Sequence, residues 1–149
     1  MKAPSKIRQQ ELKYQKVIVN SYRKQGGFCE RWNNEWVKGP PDLVCAYPII
    51  GLHLIEVKHR PTWKFTIQNP MEEKQLEYAN NYLNGGADYR IYLGVIRGGG
   101  DKVLDSEFAL FDPRSVHLDP ADGQWVPYTK GLGYDLEKLD FNCHGRTQR

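Results

Sequence analysis

The sequence is poor in cysteine and has no long hydrophobic run, and these absences narrow the classes of protein it can represent. Its 149 residues include three cysteines, an odd number too small for a disulfide framework, so we expect reduced thiols. No apolar run approaches the roughly 20 residues that a membrane-spanning helix needs. The first ten residues lack the apolar core of a signal peptide, and these observations together favour a cytoplasmic protein.

The remaining composition is typical of one globular domain. Hydrophobic residues make up 40% of the chain and charged residues 26%, which excludes collagen-like, low-complexity and disordered chains. A length of 149 residues predicts a single domain over 1–149. We expect its core to span about 5–112. Residues 113–149, which are rich in proline, glycine and aspartate, are predicted to form an irregular C-terminal extension.

Positive charge is concentrated at the start of the chain. The formal net charge is +3, but residues 1–27 hold seven cations and one anion, so this segment carries +6 and the remainder −3. A cationic segment favours contact with a phosphate backbone, because binding releases counterions. A solvated helix face accounts for the same charges. Charge alone therefore leaves both interpretations open.

The hydrophobic spacing predicts an α/β fold. A helix is expected from Pro4 to Gln25, and Glu11 interrupts its apolar stripe. A second helix is expected to begin after an N-cap at Asn69 and to end at the glycines 85–86. The predicted order is helix, three strands, helix, strand. The strand assignments are 28–37 (a strand or irregular arm), a hairpin of 42–47 with 52–59, then 89–96, and an edge strand at 108–111.

Two carboxylates and a lysine form the most informative pattern. Asp42 opens one arm of the predicted hairpin, and Glu56 and Lys58 share one face of the other arm because strand side chains alternate. Carboxylates that converge at a sheet edge repel one another unless a cation joins them. Oxygen ligands with open positions suit Mg²⁺, which can activate water and stabilise charge on a phosphoryl oxygen. The pattern therefore predicts a metal-dependent phosphoryl-transfer site.

This pattern resembles the PD-(D/E)XK nuclease superfamily. Pro41-Asp42 followed by Glu56-Val57-Lys58 is similar to its motif, and the element order is similar to its restriction-endonuclease-like core, a mixed central sheet flanked by helices. The Gly39-Pro40-Pro41 break before Asp42-Leu43 is most like the VRR-Nuc and Holliday-junction-resolvase-like branches. The resemblance covers about residues 7–97.

The resemblance implies a set of functional residues. It implies that Asp42, Glu56, Lys58 and Gln75 are catalytic, and that the metal ligands are Glu11, Asp42, Glu56 and the carbonyl of Val57. The implied activity is Mg²⁺-dependent hydrolysis of DNA phosphodiester bonds, with Mn²⁺ as a substitute, by a homodimer in recombination or repair in a bacterial or phage-infected cell. The residues expected to contact DNA are Lys6, Arg8, Lys13, Lys38, His59, Arg60 and Lys64.

Each of these residues also has a structural interpretation. Asp42 could cap the turn after Pro41, and Glu56 with Lys58 could form an exposed ion pair of little energetic value. Glu11 and Gln75 could be ordinary helix-boundary and helix-surface residues. Trp32 and the other aromatic residues near the motif could stack on bases or pack in the interior. The alternative function is a non-catalytic nucleic-acid-binding or protein-interaction module that retains the nuclease fold.

Overall fold

The first helix runs along one face of the sheet. The computed structural model describes residues 5–32, 39–48, 50–60, 72–96, 106–114 and 123–139, apart from the side chains of Ile7, Arg60 and residues 91–96. Helix α1 spans Lys6–Lys24, in agreement with the prediction. Ser5 caps it by accepting a hydrogen bond from the Arg8 amide at 3.1 Å. No helix in the described ranges is long and apolar enough to cross a membrane.

Within the described residues, seven strands follow one another across the sheet in sequence order. The element bounds are β1 Phe28–Arg31, β2 Leu43–Tyr47, β3 Gly51–Arg60, α2 Glu73–Asn84, β4 Tyr89–Ile96, β5 Ser106–Phe111, β6 Val126–Thr129 and β7 Gly133–Tyr134. Neighbouring strands are antiparallel, except that β3 and β4 are parallel. This exception arises because helix α2 connects them as a crossover. The predicted α/β fold, with a mixed sheet flanked by helices, is confirmed.

Strand β3 separates two hydrophobic cores. Ile55 and Val57 join the core that contains the α1 residues Tyr14, Ile18 and Tyr22. Leu54 belongs instead to the core that contains Ala79 and Leu83 of α2. Because side chains alternate along a strand, the even-numbered residues of β3 face α2. Glu56 and Lys58 therefore point to the side of the sheet that α2 covers.

The predicted hairpin of β2 and β3 is confirmed, while the prediction of free thiols is wrong for one pair. Leu43 pairs with Ile55 in the antiparallel register of the hairpin. Cys29 on β1 lies directly opposite Cys45 on β2, and the two form a buried disulfide with a Cα–Cα distance of 4.1 Å. A count of three cysteines could not reveal this pair, because the pairing depends on strand register.

Residues 123–139 are not an irregular extension. They form β6, β7 and a 3₁₀ turn at Leu136–Lys138, and Tyr134 and Leu136 are buried in the α1 core. The Gln25 side chain donates to the Tyr134 carbonyl at 2.7 Å and accepts from the Leu136 amide at 2.8 Å. Strand β5 pairs with β6 and is therefore not the predicted edge strand. Residues 115–122 and 140–149 lie outside the described ranges.

Helix α2 begins later than predicted. Its N-cap is Glu72, and Glu72 and Gln75 form a capping box in which each side chain bonds the backbone of the other residue. The predicted N-cap Asn69 lies outside the described residues. The helix ends at a C-cap at Gly85, as the paired glycines predicted. This start places Gln75 in the first turn of α2, at the end of the helix that reaches the polar residues of β3.

Candidate active site

Asp42 is fixed to β3 by its own side chain. Its Oδ2 accepts a hydrogen bond from the Val57 amide at 2.9 Å. Since Leu43 pairs with Ile55, the antiparallel register brings the preceding residue, Asp42, beside Glu56. The carboxylates that are 14 positions apart in sequence therefore converge, as predicted.

Glu56 is buried, and its hydrogen bonds do not fully compensate the burial of its negative charge. The residue is 1% exposed. Its Oε2 has no well-formed hydrogen bond with any residue that the structure describes. Burial raises the pKa of the Glu56 carboxyl well above its ordinary value, and the nearby Asp42 carboxylate raises it further, while Lys58 opposes both effects. A buried carboxylate beside a second one is an arrangement that a bound cation would stabilise.

Gln75 connects Lys58 with Glu56. The Lys58 ammonium donates to Gln75 Oε1 at 2.7 Å, and Gln75 Nε2 donates to Glu56 Oε1 at 3.3 Å. Gln75 Oε1 also accepts from the Glu72 amide at 3.0 Å, as part of the capping box. The side chain of Gln75 is thus held by the helix terminus and in turn orients Lys58, which is 8% exposed. The sequence predicted Gln75 near the site, but not its role in capping α2.

Arg8 links the first helix to the carboxylates. Its Nη1 lies 3.4 Å from Glu11 Oε1 and its Nη2 lies 3.5 Å from Asp42 Oδ1. Glu11 itself is buried, and this burial raises the pKa of its carboxyl, while Lys58 and Arg8 oppose the shift. Arg8 was predicted to contact DNA, but its position between two acids was not predicted. Its spacing of three residues from Glu11 is the only sequence signal for it.

These residues line a single cleft with a volume of about 410 Å³. Its described lining has equal numbers of cations and anions. The cations are Arg8, Arg31, Lys58 and Lys74, and the anions are Glu11, Asp42, Glu56 and Glu72. The cleft is therefore formally neutral until a divalent cation is added.

Two solved structures are similar to this chain. One is Hjc, a Holliday junction resolvase of the archaeal hyperthermophile Archaeoglobus fulgidus, with a TM-score of 0.49 and 17% identity over 70% of this chain and 74% of the other. The second is a VRR_NUC domain, with a TM-score of 0.42 and 20% identity over 56% of this chain and 83% of the other. No protein-family model matches the chain, and no curated protein matches it.

The donor set fits a cation with few protein ligands. Asp42 and Glu56 supply carboxylate oxygens, and the Oε2 of Glu56 has no well-formed hydrogen bond among the described residues. No group of three His, Cys, Asp or Glu side chains within the described ranges is placed to hold an ion. An ion that keeps several waters, as Mg²⁺ does, suits such a site better than one that needs a full protein cage. Glu11 therefore does not join Asp42 and Glu56 as a third side-chain ligand in this structure, whereas the Val57 carbonyl remains a predicted ligand.

The predicted DNA-contacting residues fall into three groups. Lys6 and Lys13 are exposed on α1. Lys38, Lys64 and the side chain of Arg60 lie outside the described part of the chain. His59 is buried on the opposite face of β3, where its ring lies 5.3 Å from that of Tyr14. The expected contact of His59 with DNA is therefore corrected, because strand alternation turns this side chain into the α1 core.

The turn before Asp42 depends on Gly39. Its φ of +116° disfavours L side chains, and a Cβ there would overlap the ring of Tyr78 on α2. We expect Gly39→Ala to lower the free energy of unfolding by about 2–4 kcal/mol, from backbone strain plus overpacking. Gly26→Ala is the matched control. Its φ is +84° with nothing within 4 Å, so strain alone should cost about 1 kcal/mol. If urea denaturation shows that both variants lose the same free energy of unfolding, the proposed overlap with Tyr78 is contradicted.

Proposed function

We propose that this protein is a Mg²⁺-dependent DNA endonuclease that acts on junctions or other branched DNA. The observation that carries the proposal is the convergence, in one cleft, of two carboxylates with a lysine held by Gln75. A surface ion pair would not explain it, since Glu56 and Lys58 are both buried. The structural similarity to a resolvase and a VRR_NUC domain agrees with this proposal in fold.

Each residue has a distinct role in phosphodiester hydrolysis. Asp42 and Glu56 would hold the metal, with the Val57 carbonyl as a further ligand. The ion would polarise a phosphate oxygen and lower the pKa of a water. Lys58 would stabilise the negative charge that develops on phosphorus oxygens, or orient the attacking water. Gln75 would keep the Lys58 ammonium in place through the 2.7 Å hydrogen bond.

The charge of the cleft supports a phosphate substrate whose binding depends on the metal. The described lining is formally neutral, so a divalent cation would give it a charge of about +2 and attract phosphate. The basic residues Lys6 and Lys13, and with them Lys38, Arg60 and Lys64, would contact the DNA backbone beyond the cleft. A homodimer is part of the proposal, because two copies can cut both strands of a junction.

A cleavage panel tests the proposal. Linear duplex, flap and four-way-junction DNAs are incubated with Mg²⁺, Mn²⁺ or EDTA, beside the Asp42→Ala protein. We expect cleavage of branched DNA with either metal and none with EDTA or with Asp42→Ala. Salt-dependent binding without cleavage under every metal would support the non-catalytic alternative instead. Cleavage by Asp42→Ala at the wild-type rate would contradict the proposed site.

A further inference from the structure

Trp32 is fixed next to the proposed metal ligands by its backbone. It follows the last residue of β1, Arg31, and its amide donates to the carbonyl of Asp42 at 2.9 Å. The peptide that carries a metal-binding carboxylate thus also anchors the indole. Because β1 and β2 are paired up to this point and linked by a disulfide, the position of Trp32 relative to Asp42 is well determined.

The indole is exposed at the cleft, although packing would favour its burial. Trp32 is 38% exposed and lines the cleft together with Arg31. One side of the ring packs in an edge-on contact with Tyr82, with centroids 6.2 Å apart and planes at 65°. Tyr82 in turn lies 6.2 Å from the ring of Tyr89. A large aromatic side chain braced in this way, in an otherwise charged cleft, can offer a surface to a flat ligand.

We propose that Trp32 stacks on an unpaired nucleobase of the strand whose phosphate enters the cleft. This inference rests on the proposed function. A stacking residue needs an accessible base face, and bases within a continuous duplex have both faces covered. The substrate class is therefore DNA with an unpaired base next to the cleaved phosphate, such as a single-stranded flap or an opened junction. The exposed Arg31 guanidinium is placed to contact the adjoining phosphate.

Phe28, on the strand that precedes Trp32, provides a matched control. It is the first residue of β1, it is 54% exposed, and it is absent from the cleft lining. Its ring is contacted by the Arg23 guanidinium, 5.4 Å from the centroid. Removal of either ring takes away a partly exposed aromatic side chain, one at the start of β1 and one directly after its end. Only the removal of Trp32 should affect a base in the cleft.

The test measures binding rather than cleavage. The Lys58→Met protein with Mg²⁺ is titrated with flap DNA that carries 2-aminopurine at the first unpaired position, and with the matching continuous duplex. In this background, Trp32→Ala should weaken flap binding about tenfold and remove the fluorescence change, because the variant loses the base–aromatic stack. Trp32→Phe should retain most of the flap affinity and of the fluorescence change, and Phe28→Ala should alter neither quantity. The affinity of every variant for the continuous duplex should change little.

The outcomes separate this inference from the proposed function. Undiminished flap binding by the Trp32→Ala protein, or an equal loss on flap and duplex, overturns the stacking role and leaves the nuclease proposal intact. If the Lys58→Met protein binds no DNA at all, the proposed function falls and the inference falls with it. Thermal melting of each variant shows whether a loss arises from unfolding, and Trp32→Phe then decides whether the ring itself is required.

Discussion

Replacement of Lys58 by methionine should lower kcat for DNA cleavage by about 10³-fold, the effect expected when one preorganised donor to the transition state is lost. Methionine keeps an unbranched apolar side chain in the space of the lysine stem, so the packing beneath the ammonium is largely retained. The Lys58 ammonium is held by Gln75 at the wall of the cleft, where it can face a bound phosphate. The affinity for DNA should change little, because the exposed cations remain.

Lys74 is the matched control for this prediction. It lines the same cleft but is exposed, and it forms a surface ion pair of 3.4 Å with Glu77. Lys74→Met removes the same charge from the same cleft without touching Gln75. Single-turnover cleavage should therefore remain within about threefold of wild type, since such surface pairs contribute little. Equal loss of rate in the two variants would mean that cleft charge, rather than the position of Lys58, supports cleavage.

Glu56→Gln should stabilise the metal-free protein and abolish its response to Mg²⁺. An amide removes the uncompensated buried charge, and its NH₂ group can donate towards Asp42. The gain should be on the order of 1–3 kcal/mol, or several degrees in Tm. Mg²⁺ should raise the Tm of the wild type, because it binds the folded state, but not that of Glu56→Gln. Glu30→Gln, which alters an exposed carboxylate on β1, should leave both measurements unchanged.

The difference in stability between the metal-free wild type and Glu56→Gln should increase as pH rises. Burial and Asp42 raise the pKa of Glu56 above its ordinary 4.5, so the folded chain holds this proton more tightly than the unfolded chain. The associated stability is present below pH 4.5 and is lost as pH rises through the folded-state pKa. The free energy of unfolding of the metal-free wild type should therefore fall progressively below that of Glu56→Gln as pH increases. A difference that is constant with pH would contradict an ionised Glu56 as its cause.

The centre of the site could be predicted because it depends on local rules. Strand alternation places Glu56 and Lys58 on one face, and a short hairpin fixes which residue lies opposite Glu56. The Gly39-Pro40-Pro41 break marks the start of β2 and thereby the position of Asp42. None of these inferences requires knowledge of contacts between distant parts of the chain.

The features that were missed depend on long-range contacts. Strands β6 and β7 are four and two residues long, too short for a pattern of alternation, and they are ordered by contact with α1. The position of Arg8 depends on where α1 crosses the hairpin, which helical periodicity cannot give. The burial of His59 followed from the same alternation that placed Lys58, but proximity in sequence to the motif suggested a DNA contact instead.

The contact between α1 and residues 123–139 has a consequence for the order in which the protein is made. Helix α1 leaves the ribosome well before the partners of its C-cap residue Gln25, because Tyr134 and Leu136 are more than 100 positions downstream. Contacts of such high sequence separation form late and slowly. The helix that brings Arg8 and Glu11 to the cleft therefore gains its C-terminal anchor only after residues 134–136 have been synthesised, so nascent chains that stop short of residue 134 lack it.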